Sequence, residues 1–462
     1  MSVGILLCRE LGLEPQSIAD TPVAVVSDLC HSPAAAAEAV RRIGAGRVVL
    51  GLCEQRASPE LTGALLRAGA EPFGIEPLML RDHELEAPQL LAGAVAKLMR
   101  LAPREHGKTT LAGGGMSRRA LFSPHAVLRH APVAVLDETA CLGSARCGLC
   151  ATRCPVNAID TAGQLPSVDD AACTACGACV AHCPASALRL SGSSTSQIEA
   201  QLEQLLGEIE GVVFACHSAN ALAPPGWALV ELPTLALVTP SWILQTRAHG
   251  TMVKLAPCDQ PCCAGSVEVE ALAELIIAAG GDADGNELAP LHLREPHGTA
   301  DAVLALVPES EAITVEHSAS PLGLLELDPD RCTLCGACSI ACPTGALTYE
   351  ERTAETVVQH DPRACIACGR CTTACPEDAL AVRPGIDVPR LREGVLELAR
   401  AERERCMVCG SDLPPATMRR RLRELLPQMA DAPLELCAGC ASRAVRRVSP
   451  SHDELAERGE AK

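Results

Sequence analysis

The chain has 462 residues and a formal net charge of −18, which makes it too long for one core and too acidic for a nucleic-acid or anionic-membrane surface. Its 27 cysteines would suit a secreted disulfide scaffold, but the opening Met-Ser-Val-Gly lacks a charged and then apolar leader. No apolar run approaches the roughly 18 to 20 residues of a spanning helix, so the expected setting is a reducing cytoplasm, where clustered cysteines hold metal.

Residues 1–110 read as a small parallel α/β domain. Strands are expected over Val3 to Leu7, Val23 to Ser27 and Val48 to Leu52, with helices over Ala34 to Ile43 and Leu61 to Ala68. Cys8, Cys30 and Cys53 fall at or just past the C-terminal strand ends, the edge of a parallel sheet where ligands bind. Residues 111–130 read as a linker. Within it Gly113-Gly114-Gly115 opens no dinucleotide-binding turn, and the twin-arginine-like Ser117-Arg118-Arg119 is followed by no apolar segment. No flavin or nicotinamide fingerprint occurs elsewhere.

A unit then recurs four times, from Asp137, Asp169, Asp328 and Asp361. Each copy places an Asp four residues before its first Cys and ends Cys-Pro-x-x-Ala followed by Ile or Leu. Three copies have the spacing C-x2-C-x2-C-x3-C-P, in which three thiolates wrap one [4Fe-4S] cubane and the fourth reaches its neighbour. Residues 131–192 thus form one 2[4Fe-4S] ferredoxin domain, with Cys141, Cys147, Cys150 and Cys183 on one cluster and Cys173, Cys176, Cys179 and Cys154 on the other. Residues 323–385 form a second, pairing Cys332, Cys335, Cys338 and Cys375, and Cys365, Cys368, Cys371 and Cys342. The first copy departs from the pattern, because the expected first ligand falls on Ser144. The Asp spacing points instead to Cys141 with an enlarged loop; a three-cysteine or serine-ligated cluster is the alternative. His182 reads as a neighbour that tunes potential.

Between the two, residues 195–322 repeat the α/β pattern. A helix is expected over Ser196 to Ile209, then strands Val212 to Ala215, Ala228 to Leu232 and Met252 to Ala256, with a helix over Ser241 to His249. Cys216, Cys258, Cys262 and Cys263 gather at the strand ends, with His217 beside the first. In both α/β segments a metal or cluster site competes with the plain reading of buried, apolar cysteines. Residues 390–448 carry two knuckles, Cys406-x2-Cys409 and Cys437-x2-Cys440, around a polar helix from Ala416 to Leu426. Such pairs suit structural zinc, with a single iron or unoccupied thiols as alternatives. Residues 449–462 read as a charged tail.

Two resemblances add to this reading. Ile5-Leu6-Leu7-Cys8, Leu29-Cys30-His31-Ser32-Pro33 and Arg47 to Cys53 resemble the amino-terminal domain of the heterodisulfide reductase A subunit. Val213-Phe214-Ala215-Cys216 with Pro257-Cys258 to Cys263 resembles the delta subunit of the methyl-viologen-reducing hydrogenase, a hydrogenase iron–sulfur subunit. That resemblance implies a small iron–sulfur centre on Cys216, Cys258, Cys262 and Cys263, and electron flow to or from heterodisulfide-reductase-like, flavoprotein or hydrogenase subunits. The expected fold class is multidomain α/β and α+β: two ferredoxin domains alternating with two small parallel α/β domains, then a zinc-ribbon-like segment. The expected function is electron relay through four [4Fe-4S] clusters, with no catalytic residue of its own. The alternatives are a redox enzyme that reduces a disulfide at a non-standard cluster, and an iron–sulfur assembly or sensing protein.

Overall fold

The computed structural model describes residues 2–14, 21–54, 57–102, 105, 107–111, 128–260, 263, 266–280, 297–425 and 435–448. Cys262, Gly113 to Gly115, Ser117 to Arg119 and the tail lie outside these. The chain divides into two compact units, Met1–Ile313 with His317–Pro321, and Thr314–Glu316 with Leu322–Lys462. Among the described residues no helix is long and apolar enough to cross a membrane.

In the first unit, Val3–Cys8 and Arg47–Leu52 are buried at every position, as expected of parallel strands covered on both faces. They lie at the centre of a four-stranded parallel sheet ordered Val23–Val26, Val3–Cys8, Arg47–Leu52, Ile75–Met79. The helices Pro33–Ile43 and Pro59–Arg67 begin with proline, whose missing N–H costs nothing in a first turn, and Ser58 Oγ caps the second by accepting from Leu61 N at 3.1 Å. Leu6, Leu29, Leu50, Leu52, Leu61 and Leu65 form the core between these layers.

A second parallel sheet, ordered Trp227–Leu232, Gly211–Cys216, Met252–Ala256, repeats the first three positions of that order. The helix expected to reach Ile209 runs over Thr195–Glu203, started by a Ser194–Gln197 capping box. It packs against the helix Ala87–Met99 of the first α/β domain, where Gly93 lets the backbone of Gln201 approach. Both sheets reverse direction of winding between their first and third strands, the position at which open α/β sheets gather ligands.

Between them in sequence, Ala134–Leu136 pairs antiparallel with Leu188–Leu190, and Ile159–Asp160 with Ser167–Val168. The second unit builds the same two pairings with longer strands. Gly323–Leu327 pairs with Leu380–Asp387, and Leu347–Glu351 with Glu355–His360. Leu396–Glu402 then extends the second sheet and leads to the helices Ala416–Leu425 and Ala438–Val448.

Candidate metal centres

The four repeats share a local geometry that explains their residues. Each initial Asp folds a turn onto itself: Asp137 Oδ1 accepts from Thr139 N at 2.9 Å, Asp169 Oδ1 from Ala171 N at 2.8 Å, Asp328 Oδ1 from Asp330 N at 3.0 Å and Asp361 Oδ1 from Arg363 N at 2.9 Å. The third residue after each cysteine of Cys-Pro adopts a left-handed backbone, at Asn157, Ser186, Gly345 and Asp378. In three copies the following Ala then donates its N–H back to that cysteine: Ala158 to Cys154 and Ala187 to Cys183 at 3.2 Å, and Ala379 to Cys375 at 3.3 Å. Such N–H···S bonds favour a thiolate.

The enlarged first loop follows the same rule. Ala175, Leu334 and Ala367, each two residues after a leading Cys, have φ of 56, 55 and 52°. Gly143, two residues after Cys141, has φ of 85°. Its N–H meets Cys141 Sγ at 3.4 Å, as Leu334 N–H meets Cys332 Sγ at 3.4 Å. The extra residues therefore follow Gly143, and Ser144 N ties them to Gln164 O at 2.8 Å.

Cys141, Cys147, Cys150 and Cys183 line one cavity. Cys154, Cys173, Cys176 and Cys179 line a second, and Cys332, Cys335, Cys338 and Cys375 a third. Cys342, Cys365, Cys368 and Cys371 stand close enough to perturb one another electrostatically. Burial pushes the Cys179 and Cys371 thiols up to about 12, and Cys338 and Cys365 up to about 11, with neighbouring thiols adding to the shift. At those four positions a free thiol stays protonated, so metal loading there must release protons. The donor sets, all sulfur and ringed by apolar residues such as Leu136, Ile159 and Val358, fit iron–sulfur clusters.

Residues 134–189 and residues 331–379 each match a 4Fe-4S dicluster domain. This is an iron–sulfur protein with two such domains. No curated protein sequence matches the chain. Among solved structures, a chain of the formate dehydrogenase–heterodisulfide reductase–formylmethanofuran dehydrogenase complex from Methanospirillum hungatei is similar at 16% identity, covering 68% of this chain and 98% of that one with a TM-score of 0.23. A likeness at that level extends to neither fold nor function.

Among the described residues, three further groups of thiols converge outside the dicluster domains. Cys8, Cys30 and Cys53 lie within 4.8 Å of one another, as do Cys216, Cys258 and Cys263, and as do Cys406, Cys409, Cys437 and Cys440. The first two groups sit at the reversal points of their sheets. Burial raises the Cys8 and Cys53 thiols, and takes Cys216 up to about 11. The last group is divided: the N–H groups of Cys437 and Cys409 lower Cys406 to about 6, the former at 3.3 Å, whereas, against the Arg443 hydrogen bond, burial and the neighbouring thiols take Cys440 up to about 11. The Cys406 sulfur is a thiolate near neutral pH, ready for a metal.

His182 Nδ1 meets Ala178 O at 2.9 Å, so this nitrogen serves its own short helix rather than a sulfur. His217 sits beside Cys216, with Nδ1 3.1 Å from Pro233 O and Nε2 3.3 Å from Ser218 Oγ. Sequence reasoning missed Glu10, whose carboxylate accepts from the Cys8 thiol at 2.8 Å. It also missed Arg443, which donates to Cys440 Sγ at 3.2 Å, and Thr234, which reaches the Cys176 carbonyl at 3.5 Å. A carboxylate two residues after a strand-end Cys was the signal for Glu10, and the end of the second strand, where a cysteine was looked for, was the signal for Thr234; Arg443 had none.

Proposed function

We propose that the chain is an electron-transfer subunit that passes electrons through four [4Fe-4S] clusters within a heterodisulfide-reductase-like or hydrogenase-linked assembly. The four cavity-lining or mutually perturbing sets named above are the ligands in this reading, and each pair of clusters exchanges its fourth thiol. Bound clusters supply one-electron transfer; the protein sets their potentials through burial, N–H···S bonds and charge.

The observation that carries the reading is a contact between one ligand loop and the second α/β domain. Gly177 follows Cys176 with φ of +77°, and a Cβ there would stand 3.0 Å from Thr234 Cγ2 and 3.2 Å from Leu237 Cδ2. Thr234 Oγ1 donates to Cys176 O at 3.5 Å. The preceding residue, Pro233, accepts weakly from Cys216 Sγ at 3.8 Å. A ligand loop of the first dicluster domain is thus joined through two residues to the thiols of the second sheet. In this reading those thiols hold a small iron–sulfur centre, with Cys258 and Cys263 3.5 Å apart as two sulfurs on one iron. Cys406, Cys409, Cys437 and Cys440 hold zinc, and their role is structural.

Potentiometric reduction of the full chain followed by EPR tests the relay. Because paired clusters share exchanged ligands, reduction should give spectra broadened by coupling within each pair, with about sixteen irons in the dicluster domains. Uncoupled signals from isolated clusters would refute the relay, and turnover of a disulfide by the purified chain would assign it instead to an enzyme.

A further inference from the structure

The first α/β domain brings a second kind of donor to its thiols. Cys8 Sγ is 3.3 Å from Cys53 Sγ and 4.0 Å from Cys30 Sγ, and Cys30 and Cys53 are 3.5 Å apart. Three thiolates on one tetrahedral ion, with bonds of about 2.3 Å, stand about 3.8 Å apart. In a cubane each thiolate sits on a separate iron, which spreads the sulfurs further. Of the metal or cluster that the sequence left open here, the observed spacing suits a single ion.

A carboxylate stands beside the first of these sulfurs, outside the group of three that lie within 4.8 Å of one another, so that binding all four donors brings it inward. Glu10 lies in the 3-10 turn Arg9–Leu11 that follows Cys8 directly. Its Oε2 accepts from the Cys8 thiol at 2.8 Å. The Asp28 N–H, from the turn that carries Cys30, reaches both Glu10 oxygens at 3.0 and 3.1 Å. The carboxylate is therefore fixed by one turn, covalently attached to the next, and aimed at a sulfur. A thiol hydrogen-bonded to a carboxylate is an arrangement from which a divalent ion can displace the proton and bind both groups. Cys8 and Cys53 are buried whereas Glu10 is exposed, so the oxygen ligand faces solvent.

We propose that Cys8, Cys30, Cys53 and Glu10 hold one tetrahedral divalent ion of zinc's chemistry, with three sulfurs and one solvent-facing carboxylate oxygen. Loading replaces the three thiol protons: the ion, three thiols and one carboxylate give a complex of net charge −2 and three released protons. Neither oxidant nor reductant is involved. Zinc accepts this mixed sulfur and oxygen set at tetrahedral geometry, and the site is independent of the relay proposed above.

The test uses the full chain purified without oxygen, with zinc, iron and sulfide counted and zinc affinity measured against a chromophoric chelator. The expected result is one zinc equivalent that is lost in Cys8→Ser and held at least tenfold more weakly in Glu10→Gln, with iron unchanged in both. Gln can still accept from Asp28 N–H, and unaltered hydrogen exchange across Val3–Cys8 checks that the variant is folded. Glu10→Cys should keep the ion and, after cobalt exchange, show about a third more thiolate-to-metal charge-transfer absorbance from this site. Three results would overturn the proposal: a Glu10→Gln protein that binds zinc as tightly as the parent, no zinc equivalent sensitive to Cys8→Ser, or additional iron and sulfide lost with Cys8. A loss of iron from the dicluster domains would count against the relay instead.

Discussion

His360 ends the central strand of the second unit's sheet, opposite Leu347 on one side and Leu396 on the other. It is 1% exposed, and neither ring nitrogen has a hydrogen-bond partner among the described residues. Burial, reinforced by Arg390 and partly offset by Asp361, lowers its pKa to about 4. The folded value lies below the unfolded value of about 6.5, so between the two the unfolded chain binds the extra proton. Stability from this residue is therefore complete above pH ~6.5 and is lost as pH falls toward ~4. Between pH 7 and pH 5 the loss is about 2 kcal/mol, roughly a twenty- to thirty-fold rise in the opening equilibrium. Replacing the imidazole in His360→Leu removes the titration while keeping the volume apolar. Amide exchange across Glu355–His360, corrected for intrinsic rates at the two pH values, should show that loss of protection in the parent and little of it in the variant. Equal losses in both proteins would refute the assignment and locate the acid response elsewhere.

Other outcomes follow from the ligand geometry. Cys141→Ala should lower the iron of the dicluster domains by about four of roughly sixteen, whereas Ser144→Ala should leave it unchanged; the reverse pattern in iron and sulfide analysis would move the ligand. Gly323→Ala places a methyl 2.7 Å from Cys365 Sγ and 2.9 Å from Ala367 N, so iron should fall in the second dicluster domain alone, read by EPR. Stripping metal from Cys406, Cys409, Cys437 and Cys440 with a chelator should collapse exchange protection around Cys406 and in Ala438–Val448 while the visible absorbance of the clusters persists.

The repeats were legible because each position has a local job. Asp closes its own turn, the residue three after each Cys-Pro cysteine turns left-handed, and Ala follows in register; all of this lies within a few residues. The strands Val3–Cys8 and Arg47–Leu52 were legible for a related reason, since buried parallel strands are uninterrupted apolar runs. Ile75–Met79 is a strand the sequence reading did not include; Pro77 sits inside it, which an edge strand such as this one tolerates and a central strand would not. Thr234 meets Cys176 across 58 residues, and Arg443 is a helical arginine like any other until the fold brings its guanidinium to Cys440. Contacts of that kind belong to tertiary packing, where neither spacing nor periodicity carries a signal.

The two α/β domains show how one strand order is put to different uses. In both, the first strand ends in a cysteine and the third is followed by one, because those two ends flank the reversal of the sheet. They differ at the second strand. In the first domain the turn after Val23–Val26 supplies Cys30, the third sulfur, and Asp28, whose amide fixes Glu10. In the second domain the corresponding turn is Pro233–Thr234, which supplies no sulfur and instead lies against Cys176 and Gly177. Its third thiol comes from Cys263, beyond the third strand. A thiol in one turn has its counterpart in a contact with the Cys176 loop in the other. Introducing a thiol by Thr234→Cys should therefore not simply rebuild the first domain's site: the hydroxyl bond to Cys176 O would be lost, and the first dicluster domain should report it as a shift in one cluster's potential.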